Sequence, residues 1–239
     1  MKPDHFSETL RMDAGHIPKI DFHLHTKWTD GMHSVAQMHE SAVNTGLERI
    51  LFSEHARKTS VDWFGRFADE VRALPGSACR ALVGVETKVE DLDGRLDTVP
   101  EITEQCDLVM ASVHRFPGEK GKVRGFGEVS KNESVEMEFK LACAILKNPV
   151  VDILAHPFGM CYRRFDTPPP DDMMKQLIAE TARTRVAFEI NPYYHPDPWR
   201  LIGWCREAGA RMSLGSNAHR REDVGFVVKV LEEKLQWTR

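Results

Sequence analysis

Residues 19–25 read KIDFHLH, a short apolar run that ends in two histidines one residue apart. Side chains on an extended strand repeat every second residue, so His23 and His25 fall on one side and can hold one ion together. The same plan recurs along the chain. Further runs rich in Val, Ile, Leu and Phe stand at 49–55 (RILFSEH), 81–87 (ALVGVET), 107–114 (DLVMASVH), 151–156 (VDILAH), 186–191 (VAFEIN) and 211–217 (RMSLGSN), seven in all. Near-continuous apolar runs of this length suit strands buried on both faces of a parallel sheet. The stretches between them read as helices over 62–74, 134–146, 171–184, 198–208 and 221–234, after a first helix that Ser34 caps and Gly46 follows. The connector at 97–105 is short, and Pro168, Pro169 and Pro170 mark a turn before a helix. Alternating strand and helix predicts parallel βαβ units, closed as a barrel or open as a doubly wound sheet.

The polar residues sit where chemistry is built in such folds. Six of the seven runs carry a histidine or a carboxylate at or just past the C-terminal end: His23 and His25, His55, Glu86, His114, His156, and Asn217 with His219 on the last. The C-terminal strand ends of a parallel α/β fold share one face, and sites form there. One such histidine alone is usually a hydrogen-bonded structural residue. The same bias at six strand ends points to a cation, because histidine with carboxylate is the ligand set of zinc, manganese or iron.

Composition narrows the setting. The chain has 239 residues, 41% of them apolar and 28% charged, which suits one soluble domain. A net charge of -4 gives no global pull toward a long nucleic acid or an anionic membrane. No apolar run approaches the roughly 18 residues of a membrane span. Residues 1–18 read as a polar N-terminal leader without the apolar region of a signal peptide, and 19–239 as a single barrel domain, so the cytoplasm is the expected location. The five cysteines are odd in number, widely spaced and without a CxxC pair, which predicts reduced, mostly buried thiols. Trp28, Trp63, Trp199, Trp204 and Trp237 read as packing residues, with Trp28 beside the site.

The chain resembles the PHP (polymerase and histidinol phosphatase) superfamily. The resemblance is carried by Asp21-Phe22-His23-Leu24-His25-Thr26 with Thr29-Asp30-Gly31 after it, Ser53-Glu54-His55, Gly84-Val85-Glu86, Ala111-Ser112-Val113-His114, Ala155-His156-Pro157 and Gly215-Ser216-Asn217-Ala218-His219. It implies a distorted, TIM-like (βα)7 barrel with the site at the C-terminal strand ends. It also implies two to three divalent ions of zinc, manganese or iron. Carried over by position, a first ion takes His23, His25, Glu86 and Asn217; a second shares Glu86 and adds His114 and His156; a third takes Asp30, His55 and His219. The family usually has Asp where this chain has Glu54 and again at Asn217; an amide oxygen can ligate but brings no charge.

The activity this implies is hydrolysis of a phosphate ester, most naturally a small phosphomonoester of the histidinol-phosphatase kind, by a hydroxide held between metals that Glu86 bridges. Arginine forks suit phosphate, and Arg57, Arg115, Arg163, Arg164, Arg220 and Arg221 follow the same strand ends, with Arg163, Arg164 and Arg220 favoured. His195 is a candidate acid for the leaving group, and Glu189 and Asn191 are candidates to orient the ligands. His33 could substitute as a ligand. Two other readings stay open: an amidohydrolase-type hydrolase, which would have eight strands, and a metal-binding module with weak or no catalysis.

Overall fold

The computed structural model describes residues 4–13, 15–76, 78–118 and 122–236. Trp237 lies outside them. Seven strands form one sheet in sequence order: β1 (Ile20–Leu24), β2 (Arg49–Glu54), β3 (Arg80–Lys88), β4 (Leu108–Ser112), β5 (Ile153–Leu154), β6 (Ala187–Ile190) and β7 (Met212–Leu214). Every neighbouring pair is parallel. The sheet curls until its first and last strands meet. There the contact is a single parallel bridge between Leu24 and Ala218, made by His25 N–H to Ala218 O and Ala218 N–H to His23 O, each 2.9 Å. The result is the expected distorted (βα)7 barrel. Its seven strands set it apart from the eight-stranded amidohydrolase alternative.

The helices form for legible reasons. On α1 (Val35–Asn44), Ser34 and Gln37 make a reciprocal capping box, and Gly46 follows at φ 73°. On α2 (Val61–Arg72) the buried residues Phe64, Phe67, Ala68 and Val71 recur at helical spacing and turn one face to the sheet. α3 (Pro100–Thr103) is one turn, which fits the short connector. α4 (Lys131–Ile145) starts at a second capping box, Ser130 with Glu133. α5 (Gly159–Arg163) was not foreseen, since five residues are too few to show a period. α6 (Asp171–Ala182) begins at the triple proline, and α7 (Pro198–Ala208) is capped by Asp197. The expected last helix is divided at Gly225 (φ 79°): a 3-10 turn, Arg221–Asp223, precedes α8 (Phe226–Gln236).

Two features reinforce the closing seam. Asp21 is fully buried on β1, and its carboxylate accepts Ser216 N–H at 2.9 Å and Gly225 N–H at 2.8 Å. The residues before β1, expected as a leader, pack onto the barrel: His5, Phe6, Thr9 and Met12 are buried, and Thr9 Oγ1 donates to Met212 O at 2.8 Å. Among the described residues, no helix is long and apolar enough to cross a membrane.

Candidate metal centre

Glu86, near the end of β3, is the hub. Its Oε2 faces His23 Nε2 at 3.2 Å, His55 Nδ1 at 3.3 Å and His25 Nε2 at 3.4 Å. Its Oε1 faces His156 Nε2 at 2.8 Å and His114 Nε2 at 3.2 Å. Five imidazoles from β1, β2, β4 and β5 thus converge on one buried carboxylate. A carboxylate has about four lone-pair sites. Ordinary hydrogen bonding does not account for this convergence, and two of the histidines, His114 and His156, bring their Nε2 atoms within 3.3 Å of each other.

A second carboxylate, Asp30, stands on the loop after β1. Its Oδ2 lies 3.3 Å from His219 Nε2 and 3.5 Å from His55 Nε2, and its Oδ1 lies 4.0 Å from His25 Nδ1. Three sets of donors lie within 4.8 Å of one another: His25, Asp30, His55 and His219; His23, Glu86 and His156; and His55, Glu86 and His114. His55 offers one nitrogen to each carboxylate. His25 groups with the Asp30 set, where the resemblance had assigned it beside His23; its other nitrogen still faces Glu86. Asn217 lines the same cavity and donates from Nδ2 to Tyr194 Oη at 3.2 Å.

The donor set fits divalent cations on a specific observation. His25 is fully buried, and neither ring nitrogen has a hydrogen-bond partner; His156 Nδ1 is likewise buried and unpartnered. An unmatched buried polar atom costs about 1–3 kcal/mol, so an imidazole with both nitrogens orphaned is a poor structural residue and a good ligand.

Other residues fix the rings. Glu189 on β6 is fully buried; it takes the Nδ1 proton of His23 at 2.7 Å, the Nδ2–H of Asn191 at 3.0 Å and the backbone N–H of His156. This directs His23 Nε2 toward Glu86. Gly215 makes room for it, because a Cβ there would run into Glu189 and His23. His219 donates Nδ1–H to Asn217 O at 2.9 Å, which turns its Nε2 toward Asp30. His156 and Asn217 both have left-handed backbone, φ 27° and 52°. Asn visits that region readily and His seldom does; His156 is held there by Glu189. Buried Glu54 accepts from Thr26 N–H at 2.8 Å, Thr26 Oγ1 at 2.6 Å and Thr29 Oγ1, and so shapes the Asp30 loop.

The electrostatics follow from crowding imidazoles around buried carboxylates. Burial pushes the Glu86 carboxyl up, but the surrounding His114, His23 and His55 outweigh it and hold it well below its usual range. Burial lowers His25 well below the ordinary histidine value. Burial also pulls His23 down, yet the Glu189 and Glu86 carboxylates raise it to about 10. A cation entering this set therefore competes with a proton on His23.

The expected phosphate contacts divide. Arg220 lines the cavity beside His219 and Asn217. Arg163 and Arg164 line it beside His114 and His156, with Arg163 stacked over Tyr193 at 3.8 Å. His195 has a different task from the expected one. It is buried, donates Nε2–H to Pro157 O at 2.9 Å and accepts Asn191 N–H at Nδ1, and burial lowers it to about 4. Both nitrogens are engaged with backbone, so it braces the loops after β5 and β6 and has no proton to offer a leaving group. His33 accepts Arg221 N–H and is not gathered into the cluster. Trp28 lines the cavity, as expected for its loop, and stacks on Trp63.

Two contributors were missed. Tyr194 lies over the His156 ring at 4.4 Å; the Tyr193-Tyr194 pair just past the β6 strand end was the available signal. Glu138 on α4 is buried and accepts Met160 N–H at 3.1 Å and Cys161 N–H at 2.9 Å, holding the turn that carries Arg163. A lone Glu on an amphipathic helix gives no such warning.

Comparison with known proteins identifies the family and agrees with the fold. A family profile described as PHP domain matches residues 21–192. The chain is 27% identical over 232 residues to the DNA polymerase/3'-5' exonuclease PolX of Bacillus subtilis; that match covers 91% of this chain and spans 37% of the length of PolX. It is 28% identical over 231 residues to "Probable phosphatase TTE1963" of Caldanaerobacter subterraneus, covering 90% of this chain and 82% of that protein. Among solved structures, the histidinol phosphate phosphatase (HISK) of Lactococcus lactis, complexed with zinc, L-histidinol and phosphate, superposes with TM-score 0.67 at 17% identity, covering 92% of this chain and 94% of the other. A Listeria monocytogenes structure named for histidinol phosphatase hisK gives TM-score 0.73 at 14% identity, covering 88% and 99%.

Proposed function

The chain belongs to the PHP domain family, and from that membership we propose a metal-dependent phosphatase that hydrolyses a small phosphomonoester at the histidine–carboxylate cluster. The observation that carries the reading is His25, fully buried between Glu86 and Asp30 with both ring nitrogens unpartnered. His23, His25, Asp30, His55, Glu86, His114, His156, Asn217 and His219 are the residues to hold two to three ions of zinc, manganese or iron. Such ions supply an acidified water and positive charge for the phosphoryl oxygens. The chain does the rest. Glu86 stays ionised among its histidines. Glu189 holds the His23 proton on Nδ1, and Asn217 O holds the His219 proton on Nδ1, so the Nε2 atoms of both rings are left to bind. Arg220 lines the cavity beside His219, Arg163 lines it beside His156, and each can grip phosphoryl oxygens through paired N–H groups. Tyr193, stacked on Arg163, orients that fork. Five free cysteines fit a reducing, cytoplasmic setting.

The test is metal content by elemental analysis, with hydrolysis of an aryl phosphate before and after chelation and after return of manganese or zinc. Two or three ions with metal-dependent turnover is the expected outcome. Bound metal without turnover of any phosphoester would favour a metal-binding module, with Asn217 the suspected cause. Failure to bind metal after reconstitution would refute the cluster as an ion site.

A further inference from the structure

The cavity does not end at the ion cluster. A pocket of about 810 Å3 takes in Asp30, His55, Glu86 and His114 and extends as an arm toward Trp63 and Phe126. That volume exceeds the need of one phosphate and lies in the range of pockets of ~300–1,000 Å3 that enclose a whole small ligand. Its charge is one-sided. Arg57, Lys88, Arg115, Arg124 and Arg164 line it, while the only acids among its described lining residues are Asp30 and Glu86, both committed to the histidines. Lys88 is matched by Asp97 at 3.0 Å and Arg124 by Glu133 at 2.5 Å. Arg57, Arg115 and Arg164 meet no carboxylate within 4.0 Å among the described residues. Arg164 instead lies over the Phe126 ring at 5.4 Å.

Resting on the phosphatase reading above, we propose that the leaving group carries a second phosphate, received in this arm by Arg57 and Arg115 while the scissile phosphate sits at the ions. Guanidinium forks are matched to phosphate oxygens. A leaving group that bears an ammonium is repelled by the same charges, so phosphorylated amino alcohols are poor substrates. The second phosphate is a spectator. Water oxygen bonds to the scissile phosphorus, the ester P–O bond breaks, and one water proton ends on the departing alcohol while the other stays with the released phosphate. A sugar or a nucleoside could carry the second phosphate, and paired substrates separate the two.

The metal-loaded protein is assayed on adenosine 3′-phosphate against adenosine 3′,5′-bisphosphate, glucose 6-phosphate against glucose 1,6-bisphosphate, and phosphoethanolamine. At least one bisphosphate is expected to exceed its monophosphate partner roughly tenfold or more in kcat/KM, as one charge-assisted contact supplies. The double variant Arg57→Ala/Arg115→Ala should bring that ratio down to the statistical factor of about two or less. Equal turnover within both pairs, a preference that survives in the double variant, or phosphoethanolamine as the best substrate overturns the proposal. If no phosphoester is turned over, the phosphatase reading fails, but the arm remains testable because Trp28 and Trp63 line it. Tryptophan fluorescence is then titrated with propylphosphonate and 1,3-propanediphosphonate, whose P–C bonds resist hydrolysis. Tighter binding of the diphosphonate that disappears in the double variant supports the second-anion site. Equal binding, or a difference that persists in the variant as metal chelation would give, refutes it.

Discussion

Replacing Glu189 by Gln removes one charge and one acceptor from beneath the ion cluster without changing size. The carboxylate now serves three donors: His23 Nδ1–H and Asn191 Nδ2–H at Oε1, and the His156 backbone N–H at Oε2. A glutamine offers a single carbonyl oxygen. Turned toward His23 and Asn191, it sets its NH2 against the His156 N–H; turned the other way, it opposes two donors. The cheaper orientation still strands one buried donor, at about 1–3 kcal/mol. Since 1.4 kcal/mol is tenfold in an equilibrium constant, metal affinity should fall roughly 10- to 100-fold, in keeping with the effect of lost ligand-orienting partners elsewhere. The assay is competition for zinc against a chromophoric chelator at neutral pH, on protein stripped of metal. Thermal melting of the metal-free variant separates a lost ion site from a lost fold. A zinc affinity within twofold of the parent, in a variant that melts normally, would refute the argument that Glu189 sets the His23 and His156 rings.

Three further outcomes are expected. Asn217→Asp adds a negative ligand at a left-handed position that Asp tolerates, and Tyr194 Oη can donate to it; isothermal titration should find the weakest ion bound about tenfold more tightly. Burial raises Glu138 to about 7 from an unfolded value of 4.5. Above that folded value both states are ionised and the fold bears the cost of a buried charge; as pH falls from about 7 to 4.5 only the folded state gains the proton, so stability rises, on the order of 3 kcal/mol in all. Urea melts of metal-free protein and Glu138→Gln at pH 7.5, 6 and 5 should show a gain larger in the parent by about this amount, since Glu54 and Asp21, also raised by burial, titrate in both. His195→Gln should cost about 1–3 kcal/mol in stability through lost backbone bonds, while the pH profile of turnover keeps its shape; a shifted acid limb would return His195 to the reacting groups.

Much of this was readable before any coordinates. Strands announce themselves by unbroken apolar runs, and parallel topology then brings distant strand ends to one face, so Glu86 and the histidines were found without knowing their distances. The HxH spacing put His23 and His25 where both rings face Glu86, but not in one donor set, since His25 groups with Asp30. It was no guide for Asn217 and His219. These lie past the end of β7, where Asn217 takes a φ of 52°, so a turn and not strand alternation brings them to the cavity. His195 misled because a histidine near a strand end looks the same in sequence whether its nitrogens face a cavity or a carbonyl. Glu138 and the Trp63–Phe126 arm escaped because they depend on how helices and loops lie over the barrel, which local pattern does not encode.

The seam where β1 meets the last strand has a consequence for the order of assembly. Asp21 holds backbone amides 195 and 204 residues further along the chain, and beside it a bridge joins Leu24 to Ala218. Closing so long a loop is entropically the slowest kind of contact to form. On a growing chain, His23 and His25 emerge early and wait for Asn217 and His219. An ion held by both ends of the chain would therefore bind only after nearly the whole barrel has been made, and its binding would report a finished ring.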